Sequence, residues 1–317
     1  MIEVELAPLQ EQELEEAHRI CNAAFGKFIG VPDPMGDRQM IASRWRAAAN
    51  GLPSTEVLTA RHAGRLIGSN VVTRWGSFGF FGPLTVLPEF WDQGVAKRLL
   101  DGTMAVFERW GVSHSGLFTF PHSPKHVGLY QKYGYWPGYL TAIMKKTPDS
   151  SASSALLPNT LFSKLHGAAR ERALAAAAEL TGGISAGLDV SDEIRSVFAQ
   201  GLGDTVLVWG GGTLDGFAVC HHGPGSEGGL GGCYVKFAAA RGGPGAGERF
   251  DLLLAACEGF AASRGVVLEA GTSLAREDAY RRMRAKGYKT VTQGVAMQRP
   301  HAPGFNRVGA YVIDDWR

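Results

Sequence analysis

FGPLTVLPEFWDQGVAKRLLDGTMAVFERWG, residues Phe81 to Gly111, decides the fold, because it reads in succession as a β-strand, a tight turn and an amphipathic helix. Leu84 to Leu87 is a short apolar run closed by Pro88, which has no amide proton to give a sheet ladder. Beyond the turn, Val95, Leu99, Met104, Val106 and Phe107 recur at near-helical spacing, with Lys97, Arg98, Asp101, Glu108 and Arg109 on other faces, and Gly111 ends the helix. The turn Asp92-Gln93-Gly94-Val95-Ala96 is where chemistry can sit. A helix start leaves backbone N–H groups unpaired at the positive end of the macrodipole, and the small residues Gly94 and Ala96 let an anion come close to them. A plain strand-to-helix connection would read the same way on this turn alone.

Working outward, 317 residues exceed the size at which a single core keeps growing, so two domains are expected. Apolar content of 45% and charged content of 20% fit a water-soluble globular chain. A net charge of +2 without a basic stripe argues against nucleic acid or an anionic membrane surface as partner. The acidic opening MIEVELAPLQEQELEEAH lacks the apolar core of a secretory signal, and no run is long enough to span a bilayer, so a cytoplasmic location is expected. Cys21, Cys220, Cys233 and Cys257 form no C-x-x-C pair and read as buried free thiols, with no metal site.

Along the chain, Ile2–Leu6 is a strand, Gln10–Phe25 and Arg38–Ala49 are helices, and Thr55–Arg61 with Arg65–Arg74 is a hairpin about Ala63-Gly64. Phe78–Leu87, the helix to Gly111 and the strand Ser115–Phe120 follow. Ser123-Pro124 then caps a helix to Tyr133, and Leu140–Met144 closes the half. Residues 149–158 are serine-rich and read as a linker between domains at 1–148 and 159–317. In the second half, Leu161–Leu180 and Asp192–Ala199 are expected as helices, Thr205–Trp209 and Gly216–His221 as strands, and Gly223–Gly232 as a flexible loop. Strand Cys233–Ala240, helix Glu248–Arg264, strand Gly265–Ala270, helix Arg276–Lys286 and strand Val291–Gln298 complete it. The order strand, helix, strand, helix thus occurs twice, each time ending in Gly-Tyr (Gly134-Tyr135 and Gly287-Tyr288) at nearly equal spacing from Gly111 and Gly265, which points to a duplicated unit.

These motifs resemble those of the GNAT acetyltransferases. That family's strand-turn-helix, V-x-P followed by Q/R-x-x-G-x-G/A, is met by Val86, Pro88, Gly94 and Ala96, and its later L-Y-x-x-x-G-F/Y by Leu129, Tyr130, Gly134 and Tyr135. The resemblance covers residues 1–147 well and the second half in outline. It implies an α/β fold of two tandem GNAT-like domains, each a twisted mixed sheet flanked by helices, with the first sheet opening between the strands that end at Leu87 and Phe120. It also implies acetyl-coenzyme A as co-substrate, without metal. Its pantetheine would lie along Leu84, Thr85 and Val86, and its pyrophosphate on the amides of Gln93, Gly94, Val95, Ala96, Lys97 and Arg98, with Ser123 nearby. Tyr130 would protonate the departing thiolate. Trp91 stands where the family has Gln or Arg, and Ser123 where many members have Asn.

Glu89, His122 and His126 are the candidate bases, with Glu89 placed directly after the core strand; Lys97 and Lys125 could approach phosphate, and Phe25, Phe28 and Trp45 could wall an acceptor pocket. The implied activity is acetyl transfer to a primary amine of a small molecule, by a monomer or homodimer. The alternative is a non-catalytic acyl-coenzyme A sensor. The second half departs further: Gly242–Gly247 carries a proline, and Met283 stands at the tyrosine position, so no catalysis is expected there, although Gly245-Ala246-Gly247 leaves cofactor binding open.

Overall fold

The computed structural model of the protein describes residues 2–149 and 159–317, so all of the serine-rich linker but Asp149 lies outside the described residues. The first half runs β1 (Glu5–Pro8), α1 (Leu14–Ile29), α2 (Met40–Ala49), β2 (Thr55–His62), β3 (Arg65–Trp75), β4 (Phe78–Val86), α3 (Val95–Arg109), β5 (His114–Thr119), α4 (Pro124–Gln131) and β6 (Trp136–Lys146). The second runs β7 (Asn159–Leu161), α5 (Ala168–Ile184), α6 (Ser191–Gln200), β8 (Gly203–Gly210), β9 (Thr213–Gly223), β10 (Gly229–Ala240), α7 (Ala246–Ala262), β11 (Val267–Ser273), α8 (Glu277–Ala285), β12 (Lys289–Arg299) and β13 (Val312–Ile313). The result is the mixed α/β architecture expected, with helices packed on a mixed sheet.

Two expected elements change. The helix placed at Leu161 starts only at Ala168, because β7 pairs with β8 and the Asp204 carboxylate takes the Ser163 amide (3.1 Å) and hydroxyl (2.5 Å). The stretch Gly223–Gly232 is no flexible loop. Ser226 and Glu227 are buried, and the Ser226 hydroxyl accepts from the amides of Gly228 (3.2 Å) and Gly229 (3.1 Å), closing a tight turn into β10.

One sheet runs through both halves in the order β1-β2-β3-β4-β5-β12-β6-β11-β10-β9-β8-β7, with β13 beside β10. The strand expected to close the first half does not pair with β5. Instead β12 pairs with β5 (Val295 opposite Thr119), and β6 lies between β12 and β11. Each half thus lends a late strand to the other, β6 to the second and β12 to the first. Interlocking side chains fix this seam: a Cβ on Gly294 would stand 2.1 Å from the Phe118 ring, and one on Gly116 2.6 Å from Trp316, so close packing demands glycine at both positions.

The sheet opens where β4 leaves β5. Their parallel pairing spans only Phe78 to Phe80 opposite His114 to Gly116. A bulge then interrupts the β3–β4 register at Gly82-Pro83, and Pro83 has no amide proton, so no ladder runs straight through that point. The corresponding gap in the second half is filled. There β10 pairs with β11 only from Gly232 to Val235, and β13 takes the place beside Ala238 and Ala239. Thr272 Oγ1 (3.2 Å) and Arg276 Nη1 (3.0 Å) both donate to the Val312 carbonyl and hold β13 there.

Candidate functional site

A cavity of about 630 Å³ occupies the opening in the first half. Leu84, Thr85 and Val86 form one wall, Phe120 and the start of α4 the other, and the turn before α3 one end. Leu87 donates its amide to Ile67 on β3 (2.8 Å), so strand alternation turns the backbone groups of Val86 and Leu84 toward the open edge and those of Thr85 toward β3. The Thr85 hydroxyl instead meets Ser69 Oγ at 3.3 Å. Trp91, out of pattern in the sequence, has a structural task here: its indole Nε1 donates to the Val86 carbonyl (2.7 Å), tying the turn to the strand edge.

Asp92 (φ 64°) and Gly94 (φ 89°) are both in the left-handed region and bend the chain sharply into α3. The amides of Lys97 (3.1 Å) and Arg98 (3.2 Å) already donate to the Gly94 carbonyl. Of the expected Gln93–Arg98 run this occupies Lys97 and Arg98, while Val95 and Ala96 supply the first N–H groups of the helix, which no intrahelical carbonyl can reach. Gly94, Val95, Ala96, Lys97 and Ser123 all line the cavity. Two expected residues do not: Gln93 turns its side chain back to the Glu89 carbonyl (2.9 Å), and Arg98 lies over Asp101 (3.8 Å) on the outer face of α3. Across the mouth, Lys125 pairs with Asp92 at 2.6 Å.

Ser123 caps α4 by accepting from the His126 amide (3.4 Å), and Pro124 takes the first helical position, so the sequence fixes where α4 begins and which residues face inward. Tyr130 is buried against Phe81 (ring centroids 5.8 Å apart), and burial pushes its phenol up to about 12. It is a neutral proton donor over the whole physiological range. His126 packs against Phe28 (4.8 Å) and has a buried Nδ1 with no partner among the described residues. Burial, then the charges of Lys125 and His122, lower its pKa and keep the imidazole neutral. His122 stacks on the outer side of Phe28 (5.9 Å, planes 17° apart). Glu89 does not reach the cleft: it is more than half exposed and pairs with Arg65 at 2.7 Å. Phe25 and Phe28 do wall the cavity, while Trp45 packs away from it and donates to the Leu9 carbonyl (2.8 Å).

A second chamber of about 340 Å³ adjoins the first, and Phe25, Leu84, Phe120, His126 and Tyr130 line both. Its sides are apolar, but its far wall brings Arg38 together with Glu227, Tyr234 and Arg317 of the second half. None of these residues stood out in the sequence. Glu227 is sealed, accepting from Arg44 Nε (2.8 Å) through one oxygen and Lys236 Nζ (2.9 Å) through the other. Burial opposes its ionisation, but Arg44 and then Lys236 outweigh this and hold the carboxyl at about 2. Among the described residues no cluster of His, Cys, Asp or Glu could hold a metal ion, and no helix is long and apolar enough to cross a membrane. The four cysteines are buried free thiols.

The second half's glycine turn is occupied by its own side chains. Arg249 donates to the carbonyls of Arg241 (3.0 Å), Gly242 (2.8 Å) and Pro244 (2.9 Å), and the Arg282 guanidinium covers Gly247 so closely that a Cβ there would stand 2.1 Å away.

Residues 17–135 match the model of the acetyltransferase (GNAT) family. Among solved structures, an acetyltransferase candidate from Pyrococcus horikoshii is similar over 99% of this chain and 95% of its own, with a TM-score of 0.70 and 14% identity. A GCN5-related N-acetyltransferase from Sphaerobacter thermophilus is similar over 93% of this chain and 95% of its own (TM-score 0.60, 15% identity). One from Kribbella flavida covers 93% and 70% (TM-score 0.52, 15% identity). No curated protein matches the chain. Identities this low speak to fold alone, but the first of these likenesses spans nearly the whole molecule. Residues 17–135 are thus similar to the GNAT acetyltransferase family, and the chain as a whole shares the mixed α/β fold of these solved structures.

Proposed function

We propose that this protein is an N-acetyltransferase that moves an acetyl group from acetyl-coenzyme A to a primary amine of a small molecule. The first half would carry the chemistry, and the second would shape the acceptor side. One observation carries the reading: the cleft between β4 and β5 places unpaired helix-start amides at one end and Tyr130 on its wall. The donor set suits a diphosphate without a metal, because helix-start amides supply both the hydrogen bonds and the positive dipole end.

When bound, acetyl-coenzyme A supplies the thioester carbon that an amine attacks. The amides of Val95 and Ala96 hold its diphosphate, aided by Lys97 on the cavity wall. The Val86 amide, turned to the open edge, donates to the oxygen that gains charge as the bond to nitrogen forms. His126, neutral and set where the two chambers meet, accepts the proton that the amine nitrogen gives up. Tyr130 gives its phenolic proton to the departing sulfur as the carbon–sulfur bond breaks. This assignment prefers His126 to Glu89, whose carboxylate is outside the cleft and committed to Arg65. In the second half the blocked glycine turn and the β13-filled gap support a non-catalytic role. A cytoplasmic location suits the buried free thiols, and we propose a monomer or homodimer there.

Incubating the protein with acetyl-coenzyme A and a panel of amines while following free thiol tests this reading. Amine-dependent thiol release is expected. Tight coenzyme A binding with no release above hydrolysis for any amine would instead identify an acyl-coenzyme A sensor.

A further inference from the structure

The chamber beyond Tyr130 and His126 ends on two guanidinium groups that come from opposite ends of the chain. Arg38 precedes α2, and Arg317 follows β13; both line the chamber. Each is held from behind. Arg38 places its fork on Glu269 (Nη1 to Oε1 3.2 Å, Nη2 to Oε2 2.9 Å), and Arg317 Nη2 reaches Glu269 Oε1 (2.8 Å) and Asp315 Oδ2 (2.9 Å). Lys145 adds a third cation to Glu269 at 3.2 Å. The Glu269 and Asp315 side chains are 5% and 0% exposed, so these acids sit behind the wall and orient the cations without presenting their own oxygens. Among the described residues the one side-chain carboxylate in the wall, Glu227, has both oxygens occupied by Arg44 and Lys236, and Lys236 also donates to the Arg317 main-chain oxygen. The Tyr234 hydroxyl donates to Asp315 (2.7 Å), which keeps that acid turned inward.

Among the described residues the chamber thus offers fixed positive donors and no unpaired side-chain carboxylate. Arg317 Nε is buried and has no hydrogen-bond partner among them, a donor left open for an acceptor. Between this wall and the His126–Tyr130 junction the lining is apolar, chiefly Met35, Leu117, Phe118, Ile143 and Trp316. A volume of about 340 Å³ is at the small end of ligand pockets.

We propose that this chamber binds a carboxylate: the acceptor is a small amino acid-type molecule whose amine lies at the Tyr130–His126 junction, whose apolar body fills the chamber, and whose carboxylate rests on Arg38 and Arg317. A carboxylate answers the two positive charges and can accept from the open Arg317 Nε, which is the physical reason for preferring it to a neutral or cationic tail. That the occupant is an acetyl acceptor rests on the transferase reading; that the wall takes an anion does not. The site is built by the strand exchange, since Arg38 belongs to the first half while Tyr234, Glu269 and Arg317 belong to the second.

The test uses matched pairs of amines that differ only in bearing a carboxylate or the corresponding carboxamide, each with an apolar or aromatic body. Two readouts are taken on the full chain: calorimetric binding of each compound to the protein saturated with coenzyme A, and thiol release with acetyl-coenzyme A. The acid is expected to bind at least about tenfold more tightly than its amide, the scale of charge-assisted hydrogen bonds. Arg38→Met should reduce that preference to within about twofold, and Arg38→Lys, which keeps the charge but is held differently by Glu269, should retain part of it. Coenzyme A affinity should stay at the wild-type value in both variants, which verifies that they fold. Equal binding of acid and amide, failure of every acid to bind, or an undiminished preference in Arg38→Met would overturn the proposal. Acid binding without thiol release would keep the anion site and remove the transferase reading. Thiol release equally fast with acids and amides would do the reverse.

Discussion

In the proposed mechanism Tyr130 and His126 divide the proton traffic of the cleft between two groups whose environments push them in useful directions. Burial raises the Tyr130 phenol, so it carries a proton to give; burial, then the neighbouring Lys125 and His122, lower the His126 imidazole, so it is free to take one. Tyr130→Phe should therefore lower kcat by about 10²-fold or more with little change in the KM for acetyl-coenzyme A, as removal of a general acid does. Steady-state assays of the two parameters check this. Because the His126 pKa lies below the ordinary 6.5, the neutral base persists to lower pH than usual, and the acidic limb of kcat/KM for the acceptor should fall below pH 6.5. His126→Gln should abolish that limb; a wild-type limb at or above pH 6.5 would remove His126 from the role. Tyr130 was legible in the sequence because Leu129-Tyr130 and Gly134-Tyr135 lie together on one turn of chain. His126 was legible only as one of three candidates, since what selects it, an unpartnered nitrogen at a junction of cavities, exists only after folding.

The strand, turn and helix formed by β4 and α3 owe their shape to neighbours in sequence. That is why the order strand, glycine-bearing turn and amphipathic helix could be read from the sequence, with the helix end placed within two residues. Its details needed coordinates: Trp91 reaching back to the Val86 carbonyl, and Lys97 and Arg98 amides already spent on Gly94. Replacing Gly94 with Glu forces a side chain into a backbone conformation costing about 1–3 kcal/mol and sets a carboxylate at the anion site. Coenzyme A affinity, measured calorimetrically, should fall at least tenfold, an energy of about 1.4 kcal/mol. Gly245→Glu, on the turn already covered by Arg249, should leave that affinity unchanged. Loss of binding in the second variant only would move the cofactor to the other half. Elements whose identity depends on distant partners were read less well. The place of β6 in the sheet is set by β11 and β12, more than a hundred residues away, and local periodicity carries no trace of that pairing.

At the scale of the molecule, the exchanged strands and a buried charge network make the two halves one body. Arg44 of α2 donates to Glu193 (2.6 Å) and Glu227 of the second half, Lys236 closes on Glu227, and His221 reaches Glu193 at 3.3 Å. Removing one member strands a buried charge, so Arg44→Ala should cost about 3–5 kcal/mol in chemical denaturation. The same network sets an acid limit. The Glu227 carboxyl has a lower pKa folded, about 2, than its ordinary 4.5, so its stabilisation is complete above pH 4.5 and is lost as the pH falls toward 2. Wild-type midpoints should decline across that window, and in Arg44→Ala the decline should be shallower. The glycine-rich Gly223–Gly232 stretch shows why composition missed this: its glycines read as flexibility, yet they allow the tight turn that buries Glu227.

The central claim is that the first-half cleft between β4 and β5 receives acetyl-coenzyme A. A crystal structure of the protein with coenzyme A tests it most directly. The account predicts the diphosphate on the amides of Val95 and Ala96, pantetheine along Leu84–Val86, and the sulfur beside Tyr130. Coenzyme A bound against the Gly242–Gly247 turn, or an empty β4–β5 cleft at saturating ligand, would contradict it.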